Sequence, residues 1–172
     1  PDSESDDGCD AAIVSIDRDA RILQFAGAKI GVFQLSPDGQ VTRHAAARSS
    51  LGYQQPPDDE DAPATRGIAW QDGDTFAIVT DGYTDQPGGD GEVPRSFGYR
   101  RLESLLASCA GRPATQIVER MREVDRNRRQ PGLFDRERRD QRLVQPKAAR
   151  QGHAKGIFAL RFAAEHMIDA LQ

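Results

Sequence analysis

Two aspartates, Asp81 and Asp85, lie in the run Thr80-Asp81-Gly82-Tyr83-Thr84-Asp85. Directly before them stands Thr75-Phe76-Ala77-Ile78-Val79. That stretch is apolar and β-branched nearly throughout, the composition of a strand in the middle of a sheet. An aspartate at the end of such a strand is held rigidly and aimed, and the glycine beside it lets the chain turn sharply. Carboxylates on rigid elements suit hard cations such as Mg²⁺ or Mn²⁺, which take oxygen ligands. An Asp-Gly turn that merely ends a strand has the same local sequence, and the dipeptide alone does not separate the two readings.

Other candidates carry less. His44, His153 and His166 are scattered, with no pair at ligand spacing, and read as packing or surface residues. Cys9 and Cys109 are the only cysteines, too few for a disulfide framework, and read as free thiols of a reducing cytoplasm. Asp6, Asp7 and Asp10 lack the spacing of an EF-hand loop and read as a solvated acidic turn. The segment Arg122 to Arg150 holds ten basic residues, five interleaved acids and one aromatic, Phe134. So little stacking surface argues against nucleic-acid binding and for a solvated helix and tail.

The elements that would position Asp81 can be read around it. The 172 residues suit one domain, with 37% hydrophobic and 29% charged residues. The segments 11–16, 21–26, 30–35 and 40–44 read as strands of an antiparallel meander, with Ser36-Pro37-Asp38-Gly39 as a strong turn. Residues 54–63 read as a loop and 65–70 as another strand, followed by the turn 71–74. Pro87 to Pro94 reads as a Gly-rich loop. Leu102, Leu105 and Leu106 recur at helical spacing, and Gly111-Arg112-Pro113 ends that helix. A second helix is expected from Ala114 to about Val124, and a last apolar strand over 156–162. Residues 1–110 carry 9 basic and 19 acidic residues, net −10; residues 111–172 carry 14 and 8, net +6. The change of character suggests a main unit over 1–124 and a divergent basic segment and tail over 125–172. No apolar run approaches the ~20 residues of a membrane span, and no secretory signal pattern is present. A chain that opens on Pro1 reads as a processed or excised piece.

The stretch Gly73-Asp74-Thr75-Phe76-Ala77-Ile78-Val79-Thr80-Asp81-Gly82-Tyr83-Thr84-Asp85-Gln86-Pro87-Gly88-Gly89 resembles a signature of SpoIIE-type phosphatases, in the type-2C, metal-dependent (PPM) Ser/Thr protein phosphatase superfamily. Phe97-Gly98-Tyr99-Arg100-Arg101-Leu102 looks like the family's next helix. Ser5 to Asp10, Leu23 to Ala28 and Ser50-Leu51-Gly52-Tyr53 also match, in order, so the resemblance runs over residues 5–124. It implies an α+β fold: a partial antiparallel β-sandwich flanked by helices, PPM phosphatase-like, with the N-terminal half missing. It also implies two Mn²⁺ or Mg²⁺ ions held by aspartates at strand ends, and a metal-bridging water that attacks phosphorus in line.

By that resemblance Asp81 is a metal ligand, Gly82 is the glycine beside it, and Asp85 is a loop or supporting residue. The family's first ligands, in Gly-Gly-Asp and Asp-Gly-His contexts, are not present upstream of residue 81. Its last ligand is matched best by Asp140 in Arg138-Arg139-Asp140-Gln141-Arg142-Leu143-Val144. The implied function is dephosphorylation of a phosphorylated STAS-type anti-anti-sigma protein in a partner-switching pathway. With ligands absent, this chain alone is expected to be inactive. The alternative is a non-catalytic partner-binding module or truncated pseudophosphatase. A cytoplasmic location, no nucleic acid, no membrane contact in this chain and a homodimer through an exposed sheet edge complete the expectation.

Overall fold

The computed structural model describes residues 8–52, 63–88, 95–128 and the strand at 157–161. Three antiparallel sheets organise them. The first has the order β1-β2-β5, built from Ala11–Asp17, Ile22–Ala28 and Arg66–Ala69. The second has the order β4-β3-β6-β9, from Val41–His44, Val32–Leu35, Thr75–Val79 and Ile157–Arg161. A two-residue pair, β7 (Pro87–Gly88) and β8 (Arg95–Ser96), forms a small hairpin. The helices are α1 (Asp81–Thr84), α2 (Gly98–Ala107) and α3 (Ala114–Arg128). None of the described helices is long and apolar enough to cross a membrane. Cys9 and Cys109 are both free thiols.

The alternation of side chains along each strand decides how these parts stack. Leu23 and Phe25 of β2, Ile68 of β5, Val32 of β3 and Phe76 of β6 meet between the two large sheets, with Val14 and Ile16 of β1 packed against them. The opposite face of the second sheet presents Phe33, Leu35, Ala77 and Val79 to the helices. Leu102, Leu105 and Leu106 of α2, then Ile117 and Met121 of α3, cover that face. These helical residues recur at three- and four-residue spacing, which places them on one stripe. The result is sheet upon sheet upon helix, an α+β partial sandwich.

The expected four-strand meander is not one sheet. The β1-β2 hairpin lies in the first sheet and the β3-β4 hairpin in the second. The chain changes sheets between Ala28 and Val32, at a corner where Lys29 has a positive φ of 61°. Gly27 makes the corner possible: a Cβ there would lie 2.4 Å from the Ile30 carbonyl oxygen and 2.6 Å from the Phe25 ring. Backbone bonds Lys29 N–H to Ala47 O and Ala47 N–H to Gly27 O, at 2.8 and 2.9 Å, fix it. Hydrophobic alternation reports that a strand is half-buried; it does not report which sheet the strand joins.

Strand β6 is central, flanked antiparallel by β3 and β9. The Gly-rich loop read over 87–94 is framed by the β7-β8 pair. Helix α3 runs to Arg128, a turn beyond its expected end, through the expected unit boundary at residue 124.

Candidate metal centre

Strand β6 delivers Asp81. After Val79 the chain passes through Thr80, still extended at φ −74° and ψ 159°, and then winds into the single turn α1. Asp81 opens that turn. Its carbonyl oxygen accepts from the Asp85 N–H at 2.7 Å and from the Thr84 hydroxyl at 3.1 Å, and Tyr83 N–H donates to Thr80 O at 3.1 Å. Asp81 and Asp85 are exposed, Gly82 is half-buried, and Tyr83 and Thr84 are buried. The turn therefore shows its carboxylates to solvent and sends its aromatic ring inward.

Tyr83 anchors the turn. Its ring meets Phe97 edge-on, with centroids 5.2 Å apart and planes at 80°, a favoured aromatic geometry. Its hydroxyl donates to the Met121 carbonyl oxygen at 3.0 Å. Burial pushes the phenol pKa up, and the charge of Asp125 adds to the rise, while Arg128 opposes it.

Arg128 secures the other side. Its Nη2 donates to the carbonyl oxygens of Arg95 at 2.8 Å and Gly88 at 3.0 Å, with Gln86 at 3.5 Å, and its guanidinium sits 5.1 Å from the Phe97 ring centre. At Arg128 this departs from the expected solvated helix and tail: the side chain clamps β7 and β8. The charge run hid it, because one half-buried guanidinium that meets backbone carbonyls leaves no trace in composition. Tyr83 was equally unmarked, since its partner lies in α3.

Among the sequence candidates, Asp81, Gly82 and Asp85 share the α1 turn. Asp140 lies outside the described residues. Asp10 accepts a hydrogen bond from Ser50 at 2.5 Å and stands 3.9 Å from Lys29 Nζ; Asp6 and Asp7 lie outside the described residues. Among the described residues no group of three or more His, Cys, Asp or Glu side chains is placed to hold a metal ion. A hard cation takes about six oxygens, so the described residues do not by themselves fit a two-metal centre. Asp81 is an exposed carboxylate at the exit of β6.

The family model of stage II sporulation protein E (SpoIIE) matches residues 2–140. The SiaA-PP2C domain of Pseudomonas aeruginosa aligns with 29% identity and a TM-score of 0.61, over 72% of this chain and 46% of that one. The RsbU and RsbW domains of Rv1364c from Mycobacterium tuberculosis align with 17% identity and a TM-score of 0.50, over 69% of this chain and 30% of that one, a likeness of fold. The chain thus spans less than half the length of these solved structures. A comparison with curated proteins gives no match. Because the family model covers residues 2–140, most of the chain, the protein belongs to the SpoIIE family and carries a PPM-type phosphatase fold.

Proposed function

We propose that this chain is the C-terminal part of a metal-dependent protein serine/threonine phosphatase domain. Residues 1–124 form its main unit, and 125–172 a divergent basic segment and tail. The reaction is hydrolysis of a phosphomonoester on a phosphorylated regulatory protein, a STAS-type anti-anti-sigma factor, in the cytoplasm. The observation that carries this reading is the position of Asp81, at the exit of the central strand of a chain that matches the SpoIIE family over residues 2–140. In the complete domain Asp81 would be one ligand to Mn²⁺ or Mg²⁺, with Asp140 as a second candidate, and Gly82 and Asp85 would shape the turn. The metal supplies charge stabilisation and an activated water in such enzymes.

The described residues favour a second reading for the chain by itself. With no cluster of three ligating side chains among them, the isolated chain is inactive and serves as a partner-binding module. Strand β1 lies at the edge of its sheet, with Ile13 at 71% exposure, so a homodimer through that edge accompanies this reading.

The test is hydrolysis of p-nitrophenyl phosphate and of a phosphorylated STAS protein with millimolar Mn²⁺ or Mg²⁺. The chain is compared with a longer form extended to the length of the SiaA domain, each beside its Asp81→Asn variant. Activity of the long form that Asp81→Asn abolishes supports the phosphatase reading. A long form that is active and indifferent to Asp81→Asn overturns the assignment of Asp81.

A further inference from the structure

The two ends of β6 are held in different ways. At its start stands Asp74, 2% exposed. Its Oδ2 accepts from Gln34 Nε2 at 2.8 Å and from the Gln71 N–H at 3.1 Å, and its own N–H donates to Gln71 O at 3.0 Å. Those partners lie in β3 and in the turn before β6, so this end is fixed from within the sandwich. At its finish the chain leaves the sheet for the Asp81 turn, and the side-chain contacts that hold that turn come from Phe97 and from helix α3.

These contacts share atoms. The Tyr83 ring centre lies 5.2 Å from that of Phe97, and the Arg128 guanidinium stands 5.1 Å from the same ring. The Phe97 N–H donates to Gln86 O at 3.0 Å, and Arg128 Nη2 reaches the same oxygen at 3.5 Å. Gln86 directly follows Asp85 and is 8% exposed. Gly88 lets the helix end come this close: a Cβ there would lie 2.9 Å from the Arg128 carbonyl oxygen and 3.3 Å from the Arg128 Cβ. Withdrawing Arg128 therefore uncovers the Phe97 ring and loosens Gln86. Both are direct supports of the turn, one through Tyr83 and one through the chain itself. Native proteins open in contiguous cooperative units of this kind.

We propose that helix α3 is a conformational latch on the Asp81 turn. The turn, the β7-β8 pair and the last turn of α3 open and close together, with Phe97 as the shared contact and Arg128 as the catch. Whatever draws Arg128 away from Gln86, Gly88 and Arg95 also frees Asp81, although Arg128 lies 42 residues beyond Gln86. The bearing of the latch on catalysis rests on the phosphatase reading of Asp81; the coupling itself does not.

Amide hydrogen exchange of the chain, followed by NMR, tests the coupling. The reporters are the Tyr83 N–H, bonded to Thr80 O, the Asp85 N–H, bonded to Asp81 O, and the Phe97 N–H. The controls are the Asp74 N–H at the other end of β6 and the Ala47 N–H at the sheet corner. Arg128→Ala is expected to speed all three reporters together, by about tenfold or more, and to leave the controls within about twofold. Arg128→Lys is expected to do the same to a smaller extent. Gly88→Ala, which presses on Arg128 without removing it, carries the test if Arg128→Ala does not fold. Three results overturn the latch: faster exchange at Phe97 with Tyr83 and Asp85 unchanged, equal acceleration of reporters and controls, or turn amides already unprotected in the wild-type chain. Coupled exchange beside a long form indifferent to Asp81→Asn would keep the latch and remove only its bearing on catalysis.

Discussion

The Tyr83 hydroxyl donates to the Met121 carbonyl oxygen, which fastens the turn bearing Asp81 to the middle of helix α3. Tyr83→Phe removes that bond and keeps the ring. It is expected to lower stability by about 1 kcal/mol, whereas Tyr83→Ala also opens a cavity and costs about 3–5 kcal/mol. Urea denaturation of the two variants measures both. The same residue predicts a pH effect. Burial, first, and the Asp125 charge raise the folded-state phenol pKa above its ordinary 10.0. Its contribution is therefore fully present below pH 10.0 and is lost as the pH climbs toward the raised value. Tyr83→Phe is expected to flatten that alkaline loss, and an unchanged alkaline limb would refute the assignment.

Arg128 reaches the carbonyls of Gln86, Gly88 and Arg95 from the last turn of α3. Charged donors of this kind contribute about 1.5–3 kcal/mol, so Arg128→Ala is expected to cost stability in that range. Faster amide hydrogen exchange at Phe97, whose N–H donates to Gln86 O, should accompany the loss. Arg128→Lys keeps the charge but not the planar fork, and should recover only part of both. Full recovery by lysine would mean that charge alone holds the hairpin.

Gly27 and Gly67 lie in neighbouring strands and make opposite demands. A methyl group at Gly27 meets backbone oxygen at 2.4 Å, while at Gly67 its nearest contact is the Ile22 side chain at 3.4 Å. Gly27→Ala is expected to destabilise by about 1–3 kcal/mol or more through overpacking. Gly67→Ala is expected to stay within about 0.5 kcal/mol of wild type, the usual range of surface changes. Thermal unfolding of the pair distinguishes a corner built on close approach from a general tolerance for alanine.

Ile13 points outward from the edge strand β1. If copies of the chain associate there, Ile13→Lys should shift a concentration-dependent dimer toward monomer in sedimentation velocity, since a charged edge discourages pairing. A wild-type chain that remains monomeric through high micromolar concentration would remove the dimer from consideration.

The sequence made some of this legible for identifiable reasons. Strand β6 announced itself because a central strand is buried on both faces and reads as an uninterrupted apolar run, and the Asp-Gly pair marked where it stops. Helix α2 was visible because Leu102, Leu105 and Leu106 fall on one stripe. The sheet change after β2 was not visible, because a corner depends on Lys29 adopting φ 61° and on Gly27 touching Ile30, neither of which alters hydrophobic periodicity. Tyr83, Arg128 and Asp74 were not singled out as functional or structural anchors. Each acquires its role from a partner more than thirty residues away.

The strand that presents Asp81 is flanked by neighbours drawn from opposite ends of the sequence: β3 precedes it and β9 follows only after both helices. Local contacts can assemble the β1-β2 and β3-β4 hairpins early, but the last ladder must wait for a long loop to close, a step whose entropic cost is met late. During synthesis β6 would therefore remain a bare edge until Ile157–Arg161 emerged, and the Asp81 turn would be framed on one side before the other. Order of folding, as well as final geometry, is thus built into where this protein keeps its central strand.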